Sequence, residues 1–202
     1  GLLLIAAWGV PDALSRLGDV SRPVKAVSAV LVLAALSVAT WLQVGHWRDG
    51  VTLLKHALAS TSGHPMVHYC LADAYLEQND ARNAAEHYRQ AIRKKPDFAE
   101  AHNGLGRVML TQGRTADAAQ EFRAALRINP RLSSAHNNIG HILLMEGRTR
   151  EARRRFARAV ELDPNNAEAH ANLGTALDRL GMPEKAASHY SAALRANPEL
   201  AE

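Results

Sequence analysis

Histidine recurs at His68, His102, His136 and His170, each 34 residues after the last. Imidazole carries protons near neutral pH and is the commonest metal ligand, so a metal column or an acid–base relay is the first chemistry to weigh. Geometry argues against it. Side chains on successive packed layers stand roughly 10 Å apart, whereas zinc holds its ligands at about 2 Å. The four residues read as a packed, neutral column, and no metal or other cofactor is expected. A second set, Asp73, Asn103, Arg107, Asn137, Asn138, His141 and Asn172, offers different chemistry. Asparagine both donates and accepts, so a row of it can pair with the backbone of an extended peptide whatever its sequence. Asparagine also caps or solvates helices, and the sequence leaves both readings open. A third cluster, Arg148, Arg150, Arg153, Arg154, Arg155 and Arg158, makes a basic surface suited to anionic lipid or nucleic acid, set against the ordinary reading of a solvated outer helix face. No Gly-rich phosphate loop, nucleophile elbow or paired-carboxylate spacing occurs. No catalytic residue is nominated, and this chain is not expected to be an enzyme.

The elements that hold these groups follow from the same period. Pro96, Pro130, Pro164 and Pro198 are also spaced by 34 residues. Shifted by that interval, Leu71, Leu105, Ile139 and Leu173 superimpose, followed by Ala72, Gly106, Gly140 and Gly174. The columns of Ala84, Tyr88 and Ala91 likewise keep their size class, with Phe122, Phe156 and Tyr190 on the aromatic one. Between the halves of each unit stands Asn79, Gly113, Gly147 or Gly181, residue types that tolerate the left-handed conformation ending a helix. Apolar positions in each half follow the i, i+3, i+4, i+7 rule of one helical face. Each unit is therefore helix, turn, helix, and the boundaries fall at 65–98, 99–132, 133–166 and 167–200.

At these residues the chain resembles the tetratricopeptide repeat (TPR) family. The resemblance implies an all-α, right-handed solenoid whose first helices line a groove for protein or peptide ligands. Where that family often has Trp, this chain has the histidine column, which implies a more polar, hydrogen-bonded contact there. The asparagine row is similar to the ladder in the repeats attached to O-GlcNAc transferases, although shorter. The clamp by which some members hold acidic chaperone tails is missing, since its places hold Tyr69, Asp73, Gly104, Ser134 and Asn138.

Upstream the composition changes. Residues 1–10 are almost wholly apolar yet too short to span a bilayer, and read as the end of a preceding membrane helix; a signal-peptide core would want a basic start and a cleavage site. Residues 11–25 form a basic loop with Arg16, Arg22 and Lys25. Residues 26–44 run 19 positions without a charge, ~28 Å of helix and close to the thickness of a hydrocarbon core. They are expected to be a transmembrane helix, with the basic loop cytoplasmic and the repeats extracytoplasmic, periplasmic or lumenal. Residues 45–64 read as a half-repeat and loop, with Gly50, Leu54 and Ala57 on the columns of Ala84, Tyr88 and Ala91. This junction, with Trp47, Arg48, Asp49, Val51, Thr52 and Leu53, resembles the last part of membrane proteins related to protein O-mannosyltransferases that carry C-terminal repeats. The resemblance implies a glycosyltransferase whose catalytic spans lie outside this chain.

The 202 residues are 47% hydrophobic and 22% charged, which supports one ordinary folded body and excludes a disordered chain. The net charge of +4 comes without aromatic-interleaved basic runs, so nucleic acid is not expected as a partner. A single cysteine, Cys70, cannot form an internal disulfide and leaves the redox compartment open. The start at Gly1 within an apolar run, and the end at Glu202 without a polar capping helix, read as a fragment of a longer protein. The leading expectation is a membrane-anchored scaffold that binds protein or peptide segments. The alternatives are the acceptor-recruiting part of a membrane glycosyltransferase and a soluble assembly module.

Overall fold

The computed structural model describes residues 50–60 and 63–201. The chain divides into two compact bodies, Gly1–Leu53 and Leu54–Glu202. The expectations for 1–10, 11–25 and 26–44 lie outside the described residues, as do 45–49 and 61–62 of the junction. No helix among the described residues is long and apolar enough to cross a membrane.

The described residues form nine α-helices and no strand. Helix α1 spans Gly50–Ser60. Four pairs follow: α2 (Pro65–Glu77) with α3 (Ala81–Lys94), α4 (Ala99–Thr111) with α5 (Thr115–Ile128), α6 (Ser133–Met145) with α7 (Thr149–Leu162), and α8 (Ala167–Asp178) with α9 (Pro183–Ala196). They are called repeats 1 to 4 below. A short 3₁₀ turn, Pro198–Ala201, follows α9.

Local sequence sets the helix ends. Asp80 and Asn166 accept the backbone N–H groups of Asn83 and Ala169 at 3.1 and 2.9 Å, each satisfying a donor that a helix start leaves free. Arg93 and Lys94 sit in the last turn of α3, where cations complement the helix dipole. The turn inside each repeat needs one left-handed residue. Gly147 takes it at φ 75°, and Asn79 does the same at φ 59°.

Packing is built on the alanine and aromatic columns. Ala84, Ala118 and Ala152 are fully buried, as are Tyr88, Phe122 and Phe156. The small residues let neighbouring helices approach while the ring fills the space that opens. A Cβ on Gly106, Gly140 or Gly174 would stand 2.6 Å from the ring of Phe122, Phe156 or Tyr190 respectively, so glycine there is the seat of the aromatic. Between repeats 3 and 4 the core continues through Leu143, Leu144, Leu173 and Leu177.

Consecutive first helices touch, α2 with α4, α4 with α6 and α6 with α8, whereas no two of α3, α5, α7 and α9 do. The stack therefore curves with first helices inside and second helices splayed outside. That curvature sorts the polar residues onto two faces.

Candidate functional site

The histidine column is structural, and it works through a partner column that the sequence reading missed. His102, His136 and His170 each donate Nε2–H to the carbonyl of the preceding proline, Pro96, Pro130 or Pro164, at 3.2, 3.0 and 3.1 Å. The other ring nitrogen faces the residue 19 positions later. His68 meets His87 with their Nδ1 atoms 3.0 Å apart, and His170 meets His189 at the same distance. His102 donates instead to Glu121, at 2.7 Å. In repeat 3 the corresponding residue is Arg155, and His136 Nδ1 is buried with no hydrogen-bond partner. The partners His87, Glu121, Arg155 and His189 share the 34-residue period, but their types differ too much for the column to stand out.

The members of the column differ in their electrostatics. Burial lowers the pKa of His68, His87, His136 and His189, and the facing ring lowers those of His68 and His189 further. His102 goes the other way, because its hydrogen bond to the Glu121 carboxylate raises it. Repeat 2 thus sets an imidazole against a carboxylate where repeats 1 and 4 set ring against ring. Among the described residues, no group of three or more histidine, cysteine or carboxylate side chains converges on a point where a metal could sit.

The inner face carries the seven residues singled out from the sequence, and the structure divides them by burial. Asn103 and Asn137 are 7% and 2% exposed and belong to the packing. Asn103 Oδ1 accepts from Asn138 Nδ2, and Asn137 Oδ1 accepts from Asn172 Nδ2, both at 3.0 Å. Their own amide groups donate onward to Ser134 and Glu168. The row is therefore a set of inter-repeat dyads, fixing one first helix on the next. Arg107 and His141 are exposed on the same face and form no bond among the described residues.

Asp73 occupies the column of Arg107 and His141 but has a different task. It accepts a short hydrogen bond from the Tyr88 hydroxyl. Burial first, and then Asp73, push the Tyr88 pKa far up, so the phenol stays protonated and donates. Thr175, in the same column of repeat 4, takes the Tyr190 hydroxyl at 3.4 Å. Phe122 and Phe156 have no hydroxyl, and the residues above them, Arg107 and His141, are left facing outward. Sequence and structure agree on a rule: a tyrosine below occupies the inner-face residue, and a phenylalanine below frees it.

Repeat 1 shows a further departure. Ala72 stands where the later repeats have glycine, so the Tyr88 ring cannot take the usual seat. It lies instead against Gly104, where an added Cβ would collide with the ring. Gly104 occupies the column of Asn138 and Asn172, so the asparagine dyad is given up at that junction to admit tyrosine. Tyr69 fills the other half of the missing dyad. It packs on Phe98 with ring centroids 5.2 Å apart, and burial, then Asp73, push its pKa up to about 12.

A tetratricopeptide repeat family model matches residues 69–132 and 137–201. The chain belongs to the tetratricopeptide repeat family. Its TPR fold is similar to a TPR protein of Thermus thermophilus, with a TM-score of 0.65 at 20% identity over 79% of this chain and 88% of that one. It is also similar to MamA, with a TM-score of 0.60 at 18% identity over 79% and 93% of the two chains. PilF of Pseudomonas aeruginosa matches at 28% identity and a TM-score of 0.61, over 66% of this chain and 61% of that one. No curated protein matches the sequence. The TPR match starts at residue 69, downstream of the junction that resembles O-mannosyltransferase-like membrane proteins, and that resemblance finds no support in the comparisons. TPR arrays are interaction scaffolds.

Proposed function

We propose that this chain is a membrane-anchored TPR scaffold that holds an extended segment of a partner protein along its first helices. The carrying observation is the pair Arg107 and His141, exposed at one repeat register and set among side chains that are already locked. Side chains fixed before binding lose little entropy when a ligand arrives, which favours affinity. The dyads add to this. Asn138 Oδ1 and Asn172 Oδ1 accept no hydrogen bond among the described residues, so each offers an acceptor to a backbone N–H, while Arg107 supplies a fork for a carboxylate or carbonyl. The anchor rests on the uncharged stretch 26–44, and the three basic residues before it favour an extracytoplasmic array.

Photo-crosslinking tests the binding face. A crosslinker replacing His141 is expected to give discrete protein adducts that Arg107→Ala reduces, while one replacing exposed Ala187 on α9 gives few. Equal labelling from both faces would remove the basis for the reading. Resistance to alkaline carbonate extraction tests the anchor separately, and a reporter fused after residue 202 that is active only in the cytoplasm would reverse the orientation.

A further inference from the structure

The outer face carries a second feature, independent of the first-helix groove. Between α5 and α7, over α6, lies a groove of about 680 Å³. Leu126, Ile139 and Leu143 form its apolar base. Around them stand Arg123 and Arg127 from α5 and Arg154, Arg155 and Arg158 from α7, with Arg148 at the end. Glu151 is the one carboxylate in the lining, and Arg148 already holds it at 2.6 Å. Arg158 is paired with Glu161. Arg123, Arg127, Arg154 and Arg155 are exposed and form no ion pair among the described residues.

Repeat symmetry gives an internal control for whether this is an ordinary solvated helix face. At the α3–α5 junction the positions of those five flanking arginines hold Arg89, Arg93, Gln120, Glu121 and Ala124. At the α7–α9 junction they hold Ala157, Glu161, Ser188, His189 and Ala192. One fold position, built three times, is strongly cationic once. A generic outer face would show no such concentration.

Arg155 adds a second observation. Its counterparts His87, Glu121 and His189 all turn inward to the histidine column, whereas Arg155 lines the groove and leaves His136 Nδ1 buried and unsatisfied. An orphaned buried acceptor is unfavourable, and a guanidinium N–H could have satisfied it. The arginine is held outward at the expense of the interior.

We infer that this groove docks an acidic segment of a partner protein in which aliphatic side chains are flanked by Asp or Glu. The arginine forks match carboxylates two bonds at a time, and the aliphatic base accepts the apolar side chains between them. No aromatic residue lines the groove, so nucleobases find no stacking platform there. Three aliphatic side chains seat one or two residues rather than an acyl chain.

The test uses the full 202-residue chain at low salt and a fluorescein-labelled peptide, Glu-Asp-Leu-Ile-Glu-Asp-Leu-Glu, read by fluorescence polarisation. Binding is expected to fall at least about tenfold in the quadruple variant Arg123→Gln, Arg127→Gln, Arg154→Gln, Arg155→Gln, and to persist in Arg89→Gln with Arg93→Gln. Replacing the peptide's Leu and Ile by Ser should also weaken it. Arg155→Glu separates binding from folding: it supplies His136 with the partner His102 has, so thermal stability holds or rises while peptide binding falls. Unchanged binding in the quadruple variant overturns the inference. So does a single-stranded RNA oligonucleotide or a soluble short-chain phosphatidylglycerol that displaces the peptide and binds more tightly through the same arginines.

Discussion

Repeats 2 and 3 differ from repeats 1 and 4 in the aromatic column and in the residue that faces each histidine, although all four share one backbone plan. The outer pair closes with Tyr88 and Tyr190, whose hydroxyls engage Asp73 and Thr175. The inner pair closes with Phe122 and Phe156, and Arg107 and His141 are free above them. The outer pair also holds histidine against histidine, while the inner pair holds His102 against Glu121 and leaves His136 Nδ1 without a partner. The outer repeats engage these polar groups with one another, and repeats 2 and 3 leave Arg107 and His141 exposed.

The largest effect that tests this division is in the aromatic column. Phe156 is fully buried and Tyr190 is 36% exposed. Phe156→Ala is expected to cost about 3 to 5 kcal/mol, and Tyr190→Ala only about 1 to 2 kcal/mol, by chemical denaturation. Equal losses would mean that the ring of repeat 3 is no better supported than that of repeat 4. A smaller effect tests the special seat of Tyr88. Gly104→Asn restores the common residue but puts a Cβ into the ring, so it should destabilise by roughly 1 to 3 kcal/mol. Adding Ala72→Gly and Tyr88→Phe opens the seat used in repeats 2 and 3, and the triple variant is expected to recover most of the loss. No recovery would show that the three positions are not coupled.

The period of 34 residues carried the fold because packing columns conserve size, and size is what sequence displays directly. The aromatic, alanine and glycine columns predicted the helix pairs, and the structure has an all-α TPR array there. The polar face was less legible. Asn103 and Asn138 were visible as a pattern, but their pairing spans 35 residues, one more than the period, and only the packed stack brings them together. The partner column of His87, Glu121, Arg155 and His189 was hidden because its members share a position and not a chemistry. The outer groove was half visible. The α7 arginines stood out as a run, while Arg123 and Arg127 join them only because second helices diverge over α6.

The smallest effect is the response to pH, and it has opposite signs in different repeats. His68, His87 and His189 have folded-state pKa values depressed below the ordinary 6.5, by burial first and, for His68 and His189, by the facing ring; Lys94 and Arg93 act in the same direction on His68, and Lys55 on His87. The folded state then binds fewer protons than the unfolded one, so this contribution is present above the unfolded pKa and lost as pH falls through the folded value. His102 is raised by Glu121, so its contribution is complete below the unfolded pKa and lost as pH rises through the folded value. Hydrogen exchange compared at about pH 7.5 and about pH 5.5, corrected for intrinsic rates, should show repeats 1 and 4 losing protection relative to repeat 2 on acidification. His189→Glu gives repeat 4 the same pairing as repeat 2 and is expected to reverse its response. If repeat 4 still loosens in acid with that substitution, the facing rings are not what makes the outer repeats acid-sensitive, and the electrostatic half of the inner–outer contrast fails while the aromatic half stands.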